Sequence, residues 1–466
     1  MMTVQQAMGW LDGARLAGSG AVKVLRVHTD TRTLAAGDLF VALKGEQFDA
    51  HDFLRLAAQQ GAVAAMAHHG LADAGLPGLE VADTRLALAQ LAAGWRSQFT
   101  LPLIAVTGSN GKTTVTQMIA SILRCWKQDD AFFTEGNFNN DIGVPLTLLR
   151  LREHHGAGVV ELGMNHPGEI ASLAALTKPT VALVNNAQRE HLEFMLTVEA
   201  VARENGSVIA CLGESGTAVF PADDEFTPIW KSLAGARAIL TFAGLDTKGA
   251  IADVTAAATW SGNCWRVKAQ TPSGPICFDL NIAGRHNVKN ALAATACALA
   301  AGVPAEHIAA GLSAFEPVKG RSRAAVVMVG GQAVNLIDDT YNANPDSMRA
   351  AIELLAELPG PRLLVMGDMG EVGQRGPEYH EEAGRFAREC GVQMLFATGP
   401  QSERAASSFG KGRHFVDIDR LNAAVRVAMP GLGSVLVKGS RFMKMERVVQ
   451  AITKHAETIW SNSHAA

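Results

Sequence analysis

Val106-Thr-Gly-Ser-Asn-Gly-Lys-Thr-Thr114 follows the apolar run Leu103–Thr107 and leads into the helical stretch Lys112–Cys125. A strand, a glycine-containing loop and a helix in that order aim backbone N–H groups and a helix N-terminus at one point, where an anion is favoured. Gly108 and Gly111 let the backbone approach phosphates closely. Lys112 is placed for the β- and γ-phosphates and the Thr113 hydroxyl for magnesium, while Thr107, Ser109, Asn110 and Thr114 complete the loop. Val106 stands where the usual pattern has its first glycine. The segment predicts a nucleotide-triphosphate site rather than a bare turn with an exposed lysine. It does not choose a reaction, because switches, motors, kinases and ligases all use such a loop.

Working outward, Gly158–Leu162 and Val181–Asn185 read as further strands, and Glu161 falls at the carboxyl end of the first, where ligands of parallel sheets bind. Cys264–Ala269 and Ile276–Leu280 alternate like antiparallel strands about a turn at Pro272–Pro275. Val288–Ala301, rich in alanine, reads as a packed helix. In the last third, the apolar runs Ala333–Asp338, Arg362–Gly367, Gln393–Gly399, His414–Asp417 and Ser434–Gly439 are separated by stretches long enough for crossover helices. That alternation predicts a parallel, doubly wound, Rossmann-like sheet. Gly367-Asp-Met-Gly-Glu-Val-Gly373 lacks G-x-G-x-x-G and reads as a strand-end loop. The first part of the chain, with strands at Asp38–Leu43 and Ala62–Ala67, reads as a small α/β unit. Linkers near Phe99–Pro102 and Glu316–Gly320 divide an α/β chain into three expected domains, 1–98, 99–316 and 317–466.

Composition agrees. At roughly 150 residues per domain, 466 residues allow three domains, and 48% apolar residues suffice for several cores. Lys and Arg total 41 against 45 Asp and Glu, a net charge of −4; this argues against nucleic-acid binding by bulk electrostatics but allows a local basic pocket. No apolar stretch reaches the ~18 residues of a membrane span, and the N-terminus has no signal-peptide pattern. Six cysteines are scattered with no CxxC, as expected of reduced thiols in a cytoplasm.

The loop without its first glycine resembles that of the Mur ligase family. Gly136-Asn-Phe-Asn-Asn-Asp-Ile-Gly-Val-Pro145 is similar to the family's Asn-rich segment. Glu161-Leu-Gly-Met-Asn-His-Pro-Gly-Glu169 is similar to its magnesium-binding strand end, and Gly284-Arg-His-Asn-Val-Lys-Asn290 to its adenine-proximal segment. Asp338-Asp-Thr-Tyr-Asn-Ala-Asn-Pro345, Gly367-Asp-Met-Gly-Glu371 and Lys438-Gly-Ser-Arg441 resemble the branch that adds D-alanyl-D-alanine. Asp30-Thr-Arg32 and Gly37-Asp-Leu-Phe-Val-Ala-Leu-Lys-Gly45 resemble the uridine-nucleotide domain. The match runs from about residue 28 to residue 450.

The resemblance implies an ATP- and magnesium-dependent amide ligase of peptidoglycan precursor synthesis. Its substrates would be UDP-N-acetylmuramoyl-tripeptide and D-alanyl-D-alanine, and the protein would be a cytoplasmic monomer with no nucleic-acid or membrane partner. Lys112, Glu161 and His191 are the implied catalytic residues, with Thr113, Glu161 and His191 holding magnesium. Asn287 and Asn290 are implied at the adenine edge, Arg321 and Asp339 on the nucleotide (Asp339 on the ribose), and Tyr341 stacked on the base. Asn137, Asn139 and Asn140 suit phosphate oxygens and the peptide; Thr31, Arg32 and Lys44 suit the uridine diphosphate; Lys438, Ser440 and Arg441 suit a substrate anion. Nucleotide groups on two domains imply a rotation about residues 316–320 to bring them together. The resemblance puts His191 on a second magnesium; where the family commonly has a carbamylated lysine that helps hold it, this chain has Asn205, so either that magnesium binds more weakly or a substitute, a bound anion in preference to Glu204, is expected. A phosphate-loop switch or motor has no use for the N-terminal segments. A folate polyglutamylating ligase would lack them, a ligase adding a single amino acid would carry Asp-Tyr-Ala-His near residue 340, and a non-enzymatic homologue has no need of Lys112, Thr113 and Glu161 together.

Overall fold

The computed structural model describes residues 1–463 except 46, 246, 248–250 and 262–263; residues 464–466 of the expected third domain also lie outside the described residues. The first unit holds β1 (Arg15–Ala17), β2 (Arg26–His28), β3 (Asp38–Val41), β4 (Ala64–Ala67) and β5 (Gly78–Glu80), in the order β1-β5-β4-β3-β2. Only β1 runs antiparallel to its neighbour. One face of this sheet, with Leu39, Met66 and Leu79, packs under the helix Thr84–Arg96 and continues without a break into Leu103, Phe132 and Val160 of the next sheet. The first two units therefore share a hydrophobic core.

The central sheet contains β6 (Leu103–Thr107), β7 (Ala131–Phe133), β8 (Ala157–Glu161), β9 (Val181–Val184), β10 (Thr217–Pro221) and β11 (Ala238–Phe242), all parallel in the order β11-β10-β9-β6-β8-β7. Helix α1 (Lys112–Lys127) leaves the loop after β6 and buries Val115, Met118, Ile119 and Ile122 against the sheet. The antiparallel strands β12 (Thr255–Trp260), β13 (Trp265–Thr271) and β14 (Gly274–Leu280) follow, then α2 (Arg285–Ala300), so the expected hairpin and alanine-rich helix are both present. In β13 and β14 buried and exposed residues alternate, which is why their periodicity was readable.

The last unit has β15 (Arg323–Val329), β16 (Gln332–Asp339), β17 (Arg362–Met366), β18 (Met394–Thr398), β19 (Arg413–Phe415) and β20 (Ser434–Lys438), ordered β15-β16-β20-β17-β18-β19. Five strands are parallel, as expected, but β15 is antiparallel and was not anticipated. Its run Arg-Ala-Ala-Val-Val-Met-Val is apolar yet mostly exposed, with Val326 65% accessible, so the buried-strand signal was absent. The signal available was the Gly330-Gly331 turn, whose two positive φ angles suit a tight hairpin. Helices α3 (Pro345–Glu357) and α4 (Gly376–Glu389) cover one face, and the unit has a core on each side of the sheet.

Candidate active site

Strand register builds the site. Glu161, the last residue of β8, pairs with Val106 of β6, and Leu183 of β9 pairs with Val106 from the other side. The carboxyl ends of three neighbouring strands thus open at one level, around the loop 107–114. Gly111 caps α1 with φ +82°, and a Cβ there would lie 2.5 Å from Asn290 Oδ1 and 2.7 Å from Asn185 Nδ2. Only glycine allows both that backbone angle and that approach.

Around the loop runs a cleft of about 1350 Å³. Its lining includes Ser109–Thr114, Asn137, Asn139, Asn140, Glu161, His191, Asn287 and Asn290 from the central unit and Arg321, Asp339, Tyr341 and Lys438 from the last. Both expected nucleotide-contacting sets line one cavity in this structure. Thr31, Arg32 and Lys44 stand apart in the first unit: Arg32 pairs with Asp30 at 2.6 Å, and Lys44 lies 3.7 Å from Asp49.

Glu161 is 2% exposed. Its Oε1 accepts from Thr113 Oγ1 at 3.1 Å and Asn139 Nδ2 at 2.8 Å, and Oε2 has no side-chain donor among the described residues. A hydroxyl and a carboxylate with spare oxygen capacity fit magnesium, a hard cation that takes one or two protein oxygens beside phosphates and water. Among the described residues no three His, Cys, Asp or Glu side chains form an all-protein metal cage. His191 adopts φ +49° and is drawn to carboxylates, with Nε2 3.5 Å from Glu190 Oε1 and Nδ1 2.7 Å from Glu371 Oε2. The second approach lies off the N–H axis and leaves Nδ1 without a proper hydrogen bond. Burial opposes the charge on this ring, but Glu190 and Glu371 outweigh it and lift the pKa to about 9. The two carboxylates thus favour the protonated ring, a form that must lose its proton before it can ligate a metal.

Several side chains of the cleft wall are also bonded to neighbours. Asn185 Nδ2 donates to Asn290 Oδ1 at 3.0 Å and to Asn110 O at 2.8 Å, and Asn290 Nδ2 donates to Asn287 Oδ1 at 3.0 Å. Asn287 and Asn290, expected at the adenine edge, are therefore links in an amide chain that buttresses the loop. Lys438 is 3% exposed; its Nζ is 2.6 Å from Asp339 Oδ2 and 2.9 Å from Asn342 O. Asp339, expected on the ribose, is held ionised by Lys438 and the Ser322 amide although its burial opposes this. Ser440 Oγ donates to Ala343 O and accepts from Gly370 N, and Arg441 pairs with Glu446 at 2.9 Å; neither lines the cleft. The Arg321 guanidinium lies 4.1 Å over the Tyr341 ring, a flat platform on the cleft wall.

Asn205 differs from expectation. It is fully buried, and its Oδ1 accepts from Thr107 Oγ1 at 2.6 Å and Gly108 N at 3.0 Å. Glu204 Oε1 accepts instead from Ile170 N at 2.9 Å. The amide is tied to the mouth of the loop, and Glu204 is engaged with the Ile170 amide. Asn205→Ala is expected to strand the Thr107 hydroxyl and Gly108 N–H at about 1–3 kcal/mol. Thermal unfolding checks this as a lower Tm, together with weaker triphosphate binding by calorimetry.

The sequence reading missed Arg189. Its backbone N and guanidinium bind Asp346 at 2.7–3.2 Å, and the guanidinium also binds Glu382 at 2.8 and 3.2 Å. Nearby, Asn110 and Asn344 exchange amide bonds at 2.9 and 3.3 Å. Asp346 and Glu382 belong to α3 and α4, so this polar network joins the central unit to the last. A single half-buried loop arginine carries no spacing signal that could have revealed it. Arg189→Ala is expected to shift the association of these units by about 1–2 kcal/mol, roughly 5–30-fold. Small-angle scattering would report it as a larger radius of gyration with secondary structure intact.

Family models describe the same division. The Mur ligase family catalytic domain matches residues 23–96, the Mur ligase middle domain 106–298, and the Mur ligase glutamate ligase domain 320–441. The UDP-N-acetylmuramoyl-tripeptide–D-alanyl-D-alanine ligase of Escherichia coli is 42% identical over 435 residues, covering 92% of this chain and 94% of that one. The enzyme of the same name from Bacillus subtilis is 33% identical over 439 residues, covering 91% and 92%. Among solved structures, MurF from Acinetobacter baumannii superposes with TM-score 0.88 at 36% identity, covering 97% of this chain and 99% of that one. MurF ligase from Thermotoga maritima in complex with ADP gives 0.81 at 26% identity, covering 94% and 98%.

Proposed function

The chain belongs to the Mur ligase family, and from that premise we infer that it is an ATP-dependent amide ligase that adds D-alanyl-D-alanine to UDP-N-acetylmuramoyl-tripeptide in peptidoglycan precursor synthesis. The observation that carries the reading is the single cleft where the phosphate loop, Glu161 and the Arg321–Tyr341 platform meet. A carboxylate is a poor electrophile. The tripeptide's terminal carboxylate takes the γ-phosphoryl group of ATP, and the amine of D-alanyl-D-alanine then displaces phosphate to form the amide.

The residues orient reactants and neutralise charge. Two unit anions ~4 Å apart repel by about 4 kcal/mol at an effective dielectric near 20. Lys112 and the loop N–H groups answer that repulsion on the phosphate side. Thr113 and Glu161 would hold magnesium, which supplies further positive charge between the anions; His191 would join them once deprotonated. Asn137, Asn139 and Asn140 present amides toward the peptide. Tyr341 and Arg321 offer the adenine a stacking face, Asp339 lies within reach of the ribose, and Lys438 sets the position of Asp339. Thr31, Arg32 and Lys44 bind the uridine diphosphate from the first unit. The domains run 1–98, 99–316 and 317–466, and the enzyme works as a cytoplasmic monomer; no helix among the described residues is long and apolar enough to cross a membrane.

Incubation with ATP, the UDP-linked tripeptide and D-alanyl-D-alanine, followed by weighing the product, tests the reading: ATP hydrolysis without a new amide would sink it. Asparagine forms no carbamate, so ligation is also expected to continue unchanged when carbon dioxide is removed. A collapse of activity that bicarbonate restores would refute this.

A further inference from the structure

An ammonium has three protons to donate, and Lys112 spends all three inside the protein. They go to Gly108 O at 2.6 Å, Ser109 O at 3.1 Å and Glu190 Oε1 at 2.8 Å. Glu190 is only 7% exposed, and its Oε2 is buried with no hydrogen-bond partner among the described residues. A desolvated carboxylate thus occupies the lysine that the loop geometry aims at phosphate oxygens. We propose that Glu190 is the internal counter-anion of the phosphate-loop lysine, holding Lys112 until the β- and γ-phosphates of a nucleoside triphosphate displace it. This deepens the ligase reading of the same cleft and rests on it.

Two observations support the exchange. An isolated buried ammonium is costly, so a loop that must stand without phosphate gains from an anion of its own. Glu190 is also well placed to pass its release onward. It lies between Arg189, which binds Asp346 and Glu382 of the last unit, and His191, which faces Glu371 of that unit. The loop is tied to this segment as well, through Asn110 Nδ2 to Gln188 Oε1 at 2.7 Å and Ser109 N to Asn186 O at 3.1 Å. Glu190 is therefore a positioning residue that acts through Lys112.

The test titrates the full chain, in magnesium buffer, with adenosine 5′-(β,γ-imido)triphosphate and separately with AMP, using wild type, Glu190→Gln and Glu190→Asp. Competition lowers apparent affinity by the fraction of lysine left free, so Glu190→Gln should bind the triphosphate analogue about tenfold tighter if Lys112 is paired about nine-tenths of the time. AMP has no β- or γ-phosphate, and its affinity should not change. Glu190→Asp keeps the charge and should stay near wild type. In steady state Glu190→Gln should lower KM for ATP without lowering KM for D-alanyl-D-alanine, a split that a folding defect does not produce. Equal or weaker binding of the analogue by a folded Glu190→Gln protein overturns the proposal. Equal tightening of AMP also overturns it, because that marks a general gain of positive charge. If Glu190→Gln fails to fold, Glu190→Ala carries the same comparison. A wild-type protein that binds neither nucleotide removes the ligase reading itself.

Discussion

Lys112→Ala is expected to slow ligation by about 10²–10³-fold, the scale on which losing one preorganised electrostatic contact acts. Stability should fall too, because the substitution takes away the ammonium 2.8 Å from the buried Glu190 and leaves it only His191 Nε2 at 3.5 Å; breaking a buried pair costs at most about 3–5 kcal/mol. The two effects are separable. Lys112→Ala combined with Glu190→Gln should recover most of the lost Tm and none of the lost rate. Single-turnover kinetics and thermal unfolding on both proteins measure this, and near-normal turnover by Lys112→Ala would remove the loop from the mechanism.

Glu161→Ala is expected to be comparably severe. The carboxylate is the shared acceptor of Thr113 and Asn139, so its loss releases both groups and, on the proposed reading, would remove a magnesium oxygen. Even outer partners of a metal site cost 10–100-fold in affinity or activity, and a direct ligand should cost at least that. The magnesium concentration for half-maximal activity should rise by a similar factor. An unchanged magnesium dependence would assign the metal elsewhere.

The site was legible wherever its parts are neighbours in the chain. Strand β6, the loop and α1 are contiguous, so their geometry is local and Thr107–Thr114 could be read directly. Glu161 could be read as well, because a carboxylate ending an apolar run in a parallel sheet has one place to face. Asn205 and Lys438 show where such reading stops. Their sequence positions suggest a metal-side and a substrate-side place, but not the partners the structure shows, Thr107 and Asp339. In each case the partner lies roughly a hundred residues away, and no local pattern encodes the pairing.

The α/β architecture, the phosphate loop and the family are readable in the chain alone, since periodicity, glycine placement and contiguous motifs are set by short-range sterics and backbone hydrogen bonding. The tertiary structure alone decided which charges meet. Glu190 on Lys112, Arg189 on Asp346 and Glu382, and His191 beside Glu371 all arise because parallel strands bring their carboxyl ends together and the last unit covers them. Electrostatic partnership depends on distance in space and on shielding from water, and neither is a property of position in the chain.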